Sequence, residues 1–176
     1  MVNQRAELIY RIVKYGNEVL ERRAEPVTEF DEELEKLAAD MFASMYAARG
    51  VGLAAPQIGI PRSLAVIDLS SGEDPNAKLV LCNPTVVKAE GKQTIEEGCL
   101  SLPTFRAAVV RPKIVTVRAQ NLKGQWFEKT AEDLLARAFL HETDHLNGRL
   151  FITHVSTLRR DLIKRKVRKL MKQGEW

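Results

Sequence analysis

The chain has 176 residues, 45% of them hydrophobic, enough to bury one good core and short for two full domains, so a single domain over residues 1–176 is expected. The net charge of +4 is small and concentrated near the C-terminus, where Arg159, Arg160, Lys164, Arg165, Lys166, Arg168, Lys169 and Lys172 outnumber Asp161 and Glu175. No apolar run is long enough to span a bilayer, and residues 1–16 mix Arg5, Glu7, Arg11 and Lys14 among their apolar side chains; with only Cys82 and Cys99 available, these features exclude a membrane protein and a disulfide scaffold and predict a cytoplasmic location.

In chain order, residues 31–49 place Leu34, Leu37, Ala38, Met41, Phe42, Met45 and Tyr46 at spacings of three and four, which predicts a core-facing helix ended by Gly50. The texture then changes. Residues 63–69, 78–82, 85–88 and 113–118 are short β-rich runs, separated by turn signals at 71–76 and 121–124. Few helical patterns intervene, so the strands are predicted to pair in antiparallel or mixed fashion.

Helical spacing returns over residues 130–147, where Leu134, Leu135, Ala138, His141 and His145 share one face that is expected to point inward against the sheet, and Gly148 ends the segment. A last helix over about 156–172 carries Leu158, Leu162, Ile163, Val167, Leu170 and Met171 on one side and the basic residues on the other. The expected class is α+β: antiparallel or mixed sheets packed around a central metal-binding helix, with an N-terminal and a C-terminal helix.

The central helix contains His141-Glu142-Thr143-Asp144-His145, two imidazoles one turn apart on one face with a carboxylate beside them. That arrangement is a metal site with its own base. A catalytic metal site usually takes three protein ligands and keeps a position open for water. The chemically suitable third ligand is Cys99, in Glu96-Glu97-Gly98-Cys99-Leu100-Ser101, where Gly98 permits close backbone approach. Cys82 reads as a packed core residue at a strand end, and His154, beyond the stop at Gly148, as a solvated or capping residue. A third stretch, Gly50-Val51-Gly52-Leu53-Ala54-Ala55-Pro56-Gln57, concentrates small residues where backbone must come close to something. It lacks the strand-to-helix setting of a dinucleotide-binding loop, and Gln57 offers an amide to a developing oxyanion.

These three motifs, in this order and at these separations, resemble the peptide deformylases. The likeness extends to Arg11-Ile12-Val13-Lys14-Tyr15-Gly16 and to Asn147-Gly148-Arg149-Leu150-Phe151. It implies removal of the N-formyl group from the initiator methionine of N-formyl-methionyl nascent peptides, with release of formate. It also implies one divalent metal ion per chain on Cys99, His141 and His145, with Fe(II) expected and Zn(II), Ni(II) or Co(II) as substitutes. Glu142 is implied as acid/base, and the Gln57 side chain and Leu100 backbone amide as oxyanion donors. Val51, Gly52, Ile95, Glu97, Leu134 and Arg106 are implied to bind substrate. Ribosome contact through the basic C-terminal helix is a further implication. Two positions depart from the family pattern: Leu140, where many members have glutamine, and Thr153-His154, at a commonly acidic position.

Two rival readings make contrary demands. A His-Glu-x-x-His protease needs a third histidine or carboxylate ligand and an extended groove, and the motif around Cys99 speaks against it. A zinc-stabilised ribosome- or RNA-binding module needs a fourth protein ligand to close the site, and no further Cys or His is spaced to supply one.

Overall fold

The computed structural model describes residues 7–176, so the reading of residues 1–16 lies partly outside the described residues. The helix α1 spans Glu32–Ala47 and starts where the Asp31 carboxylate accepts a hydrogen bond from the Leu34 amide, with Glu32, Glu33 and Glu35 at the positive end of the helix dipole. The residue in left-handed conformation at its end is Arg49 (φ 57°), one position before the expected Gly50.

Five strands form one antiparallel sheet: β1 (Gly52–Ala54), β2 (Leu64–Ile67), β3 (Leu79–Glu90), β6 (Ile114–Gln120) and β7 (Trp126–Glu132), in the order β1-β2-β3-β6-β7. Between them in sequence, β4 (Gln93–Cys99) and β5 (Leu102–Arg111) pair as a separate two-stranded sheet. The two β-rich runs at 78–82 and 85–88 belong to one strand, β3. Its register shifts between Cys82 and Thr85, where Asn83 has φ 52° and its side chain bonds Val27 and Gln120. A local amide network replaces the broken ladder, so the Asn-Pro signal marks a bulge and not a strand end.

All four residues of β2 are buried because helices cover both faces of the sheet. Leu64 and Val66 join the α1 core with Met41, Met45 and Leu53, whereas Ile67 faces the opposite core with Leu81, Val117 and Phe139. That second core is built on α2 (Asp133–Leu146), which packs against β1, β2, β3, β6 and β7. Residues 130–132, read as helix from their apolar spacing, instead finish β7. Leu140, at the unusual position before His141, packs into this sheet-side core.

A third core lies beyond the hairpin, where Leu102, Phe105 and Val109 of β5 meet Phe151 and Ile152 of a 3-10 turn (Phe151–His154) and Ile163 and Val167 of the last helix. Helix α3 (Thr157–Gln173) is capped by the Ser156 hydroxyl. It buries only Ile163 and Val167, and Leu158, Leu162 and Met171 of the expected apolar side stay exposed. No helix among the described residues is long and apolar enough to cross a membrane.

The turn after α2 depends on Gly148. It has φ +71°, and a Cβ there would stand 2.8 Å from the Glu21 carbonyl oxygen and 2.9 Å from the Arg22 carbonyl carbon. Both neighbours are backbone and have little freedom to retreat. Gly148→Ala is expected to destabilise the fold by about 1–3 kcal/mol, read as a lower midpoint in urea at unchanged slope.

Candidate active site

Three pieces of chain converge at one end of α2. The last residue of β4 brings Cys99, one face of α2 brings His141, Glu142 and His145, and β1 with the turn after it brings Gly52 and Gln57. The Cys99 Sγ lies 3.2 Å from His145 Nε2, which lies 3.2 Å from His141 Nε2. The three donor atoms all fall within 4.8 Å of one another. Donors of a tetrahedral ion bound at about 2.0–2.3 Å stand roughly 3.3–3.8 Å apart, so this spacing fits a divalent metal.

The surroundings orient the imidazoles. The His141 Nδ1 lies 3.1 Å from Glu97 Oε2 and, as donor to a carboxylate, carries a proton, so Nε2 is the atom turned towards the other donors. Burial alone would lower His141, but its bonds to Cys99 and Glu97 hold it well above the usual imidazole range. Burial next to His141 holds His145 well below the usual imidazole range, in the neutral form a metal needs. Its Nδ1 has no hydrogen-bond partner among the described residues.

Glu142 is buried beside these ligands, and its Oε2 has no hydrogen-bond partner among the described residues. An isolated carboxylate out of water favours its protonated form, and burial pushes this one up to about 7. A group poised there can take a proton and give it back near neutral pH. Gly52 lets it sit so close to β1: a Cβ at that position would lie 2.3 Å from Glu142 Oε1.

Gln57 is oriented by its own loop. The Ala54 N–H donates to its Oε1 at 2.9 Å, which turns the amide Nε2 towards Cys99 Sγ (3.6 Å) and Ser101 Oγ (3.3 Å). The donor end therefore faces the metal ligands.

A cavity of about 520 Å³ opens in front of these groups. Val51, Gly52, Gln57, Cys99, Leu100, Leu134, His141 and Glu142 line it, and Arg106, paired with Glu96 at 3.1 Å, stands at its wall. His141 thus lines a cleft facing the hairpin, whereas His145 is buried behind it. Ile95, exposed on β4, is not among the lining residues.

Glu97, expected around the substrate, lines the same cavity and also anchors a buried network. Its Oε1 accepts from Arg111 Nε at 2.8 Å, and its Oε2 accepts from Arg111 Nη2 at 3.1 Å beside the His141 contact. Burial alone would raise its pKa, but these bonds outweigh it and hold Glu97 at about 2. Arg111 Nη1 continues to Asp144 Oδ2 at 2.6 Å. Neither Arg111 nor Asp144 was anticipated. The one available signal was a lone arginine closing the apolar run of β5, whose partner depends on how the hairpin and α2 meet.

A cysteine sulfur, two imidazoles, a buried carboxylate and an aimed amide at the end of a cleft, on an α+β scaffold, define a metal-dependent hydrolase. The family model for polypeptide deformylase matches residues 9–161. The peptide deformylase of Acidobacterium capsulatum is 60% identical over 169 residues, covering 96% of this chain and 99% of that one. The crystal structure of a peptide deformylase from Legionella pneumophila superposes with a TM-score of 0.86 at 44% identity, covering 94% of this chain and 97% of that one. That of the Thermotoga maritima peptide deformylase gives 0.79 at 42% identity, covering 84% and 98%. This chain belongs to the polypeptide deformylase family, hydrolases that remove the formyl group from an N-terminal methionine.

The contact between Gly52 and Glu142 can be tested directly. In Gly52→Ala the added methyl must push the carboxylate aside, and a displacement near 1 Å can cost about 100-fold in rate. Formate release is expected to fall by about that factor while metal analysis shows the ion content of the parent chain.

Proposed function

We propose that this chain deformylates N-formyl-methionyl nascent peptides at the cleft, with Cys99, His141 and His145 holding one divalent ion, Glu142 moving the proton, and Gln57 with the Leu100 amide receiving the developing charge. The observation that carries this reading is the buried Glu142 carboxylate beside the three-donor cluster, its Oε2 without a partner among the described residues. Bound there, a divalent ion supplies Lewis acidity and draws the pKa of water towards neutrality.

The chain's own residues supply the rest. Glu142 takes a proton from the attacking water as its oxygen bonds to the formyl carbon. Gln57 Nε2 and the Leu100 N–H donate to the oxygen of the tetrahedral intermediate, and losing one such donor typically costs roughly 2.7–4 kcal/mol. Glu142 then returns the proton to the amine nitrogen as the carbon–nitrogen bond breaks, leaving formate and a free amino terminus. Val51, Gly52 and Leu134 border the space for the methionine side chain, and Arg106 stands where the peptide continues.

A thiolate and two imidazoles suit Fe(II) and Zn(II) alike, and Ni(II) or Co(II) can take the same donors. The family resemblance favours Fe(II). We place the reaction in the cytoplasm, where formylated nascent chains are made. The basic face of α3 suits a phosphate-rich partner, and a ribosome offering nascent chains is the one we assign.

Two experiments test these assignments. Glu142→Gln is expected to keep about one metal per chain and lose turnover, whereas Cys99→Ala loses both; wild-type turnover in the glutamine variant would refute the proton relay. For the ribosome, truncation is uninformative because Ile163 and Val167 belong to the core. Reversing the exposed Arg165, Arg168, Lys169 and Lys172 to glutamate is expected to abolish salt-sensitive co-sedimentation with ribosomes, with deformylation of a short peptide unchanged.

A further inference from the structure

His154 is exposed, yet its side chain has two polar partners. It ends the Phe151–His154 turn, whose Phe151 and Ile152 are buried against Phe105 and Val109 of β5, so its backbone is anchored although about a third of its side chain is exposed. Its Nε2 lies 2.8 Å from Asp144 Oδ2 and 3.2 Å from Arg111 Nη1. A guanidinium nitrogen only donates and a carboxylate oxygen only accepts, so Nε2–H and Nη1–H both converge on the single oxygen Oδ2.

From that oxygen the contacts run inward without a gap. Arg111 bonds Asp144 with Nη1 and Glu97 with Nε and Nη2, and Glu97 Oε2 takes the His141 Nδ1 proton. We propose that His154 is a positioning residue for the metal centre: by holding the Asp144 Oδ2 that Arg111 also bonds, it locks the Arg111 fork, and with it the Glu97 carboxylate that aims His141. The inference rests on the metal-site reading above. Its physical basis is that Arg111 is planar and its bonds to Glu97 and Asp144 share one rigid fork, so a shift of Asp144 rotates the Glu97 contact too.

The test uses the full chain loaded with Co(II), comparing the parent, His154→Ala, His154→Gln and Thr153→Ala. The last loosens the same turn, where Thr153 Oγ1 donates to the Leu150 carbonyl at 2.9 Å, without touching Asp144. The readouts are visible absorption of the bound cobalt, the rate of its release to a chelator, and kcat and KM for a formyl-methionyl peptide. His154→Ala is expected to shift the cobalt bands, release the ion about ten-fold faster and lower kcat with KM unchanged. His154→Gln, which keeps a side-chain N–H donor, should recover most of each change, and Thr153→Ala should match the parent. Parent-like bands and release rate in His154→Ala would overturn the proposal, as would equal effects in Thr153→Ala or no recovery with glutamine. A parent chain that takes up no cobalt would overturn the metal-site reading itself, and this inference with it.

Discussion

The active site depends on a buried guanidinium. The groups of the site come from two elements: the β4–β5 hairpin carries Cys99, and α2 carries His141, Glu142 and His145. Arg111 joins them, for it bonds Glu97 on the hairpin and Asp144 on the helix and is itself almost fully buried. Two carboxylates around one arginine leave no unpaired cation out of water. Removing one partner of such a buried set typically costs about 3–5 kcal/mol, so the set resists sliding between the two elements.

Rigidity on the other side of the cleft comes from apolar packing. Phe139 and Ala136 seat α2 on the sheet, and the sheet is held from its far face by α1 through Leu64 and Val66. This leaves the opposite side of α2 to carry polar groups into a cleft. The same helix thus has an apolar face that fixes its position and a reactive face whose cost is offset by that packing. Gly52 completes the arrangement, because backbone without a side chain is the only surface that fits against Glu142.

The electrostatics of the site follow from which groups have partners. Glu97, with hydrogen bonds from Arg111 and His141, stays ionised far into acid, whereas Glu142, with neither, titrates near 7. Two buried carboxylates close together therefore differ in charge: one is a fixed anion beside His141, the other can gain or lose a proton near neutral pH.

The chemistry of this chain was legible along the sequence. Residues 141–145 sit on one helix, so their spacing alone puts two imidazoles and a carboxylate together, and the helix itself is marked by its apolar period. The unusual settings of Cys99 and Gln57 stood out locally for the same reason. The long-range geometry was not legible. Arg111 and Asp144 became partners only when the hairpin register and the docking of α2 were set, and His154 joined them because Phe151 and Ile152 anchor its turn in a core assembled from β5 and α3. The one-strand course of β3 through Asn83-Pro84 was likewise decided by side-chain bonds to Val27 and Gln120, residues 56 and 37 positions away. Local periodicity determines which side chains share a face. Which faces meet, and therefore which buried charges are satisfied, is decided by packing between segments far apart in the chain.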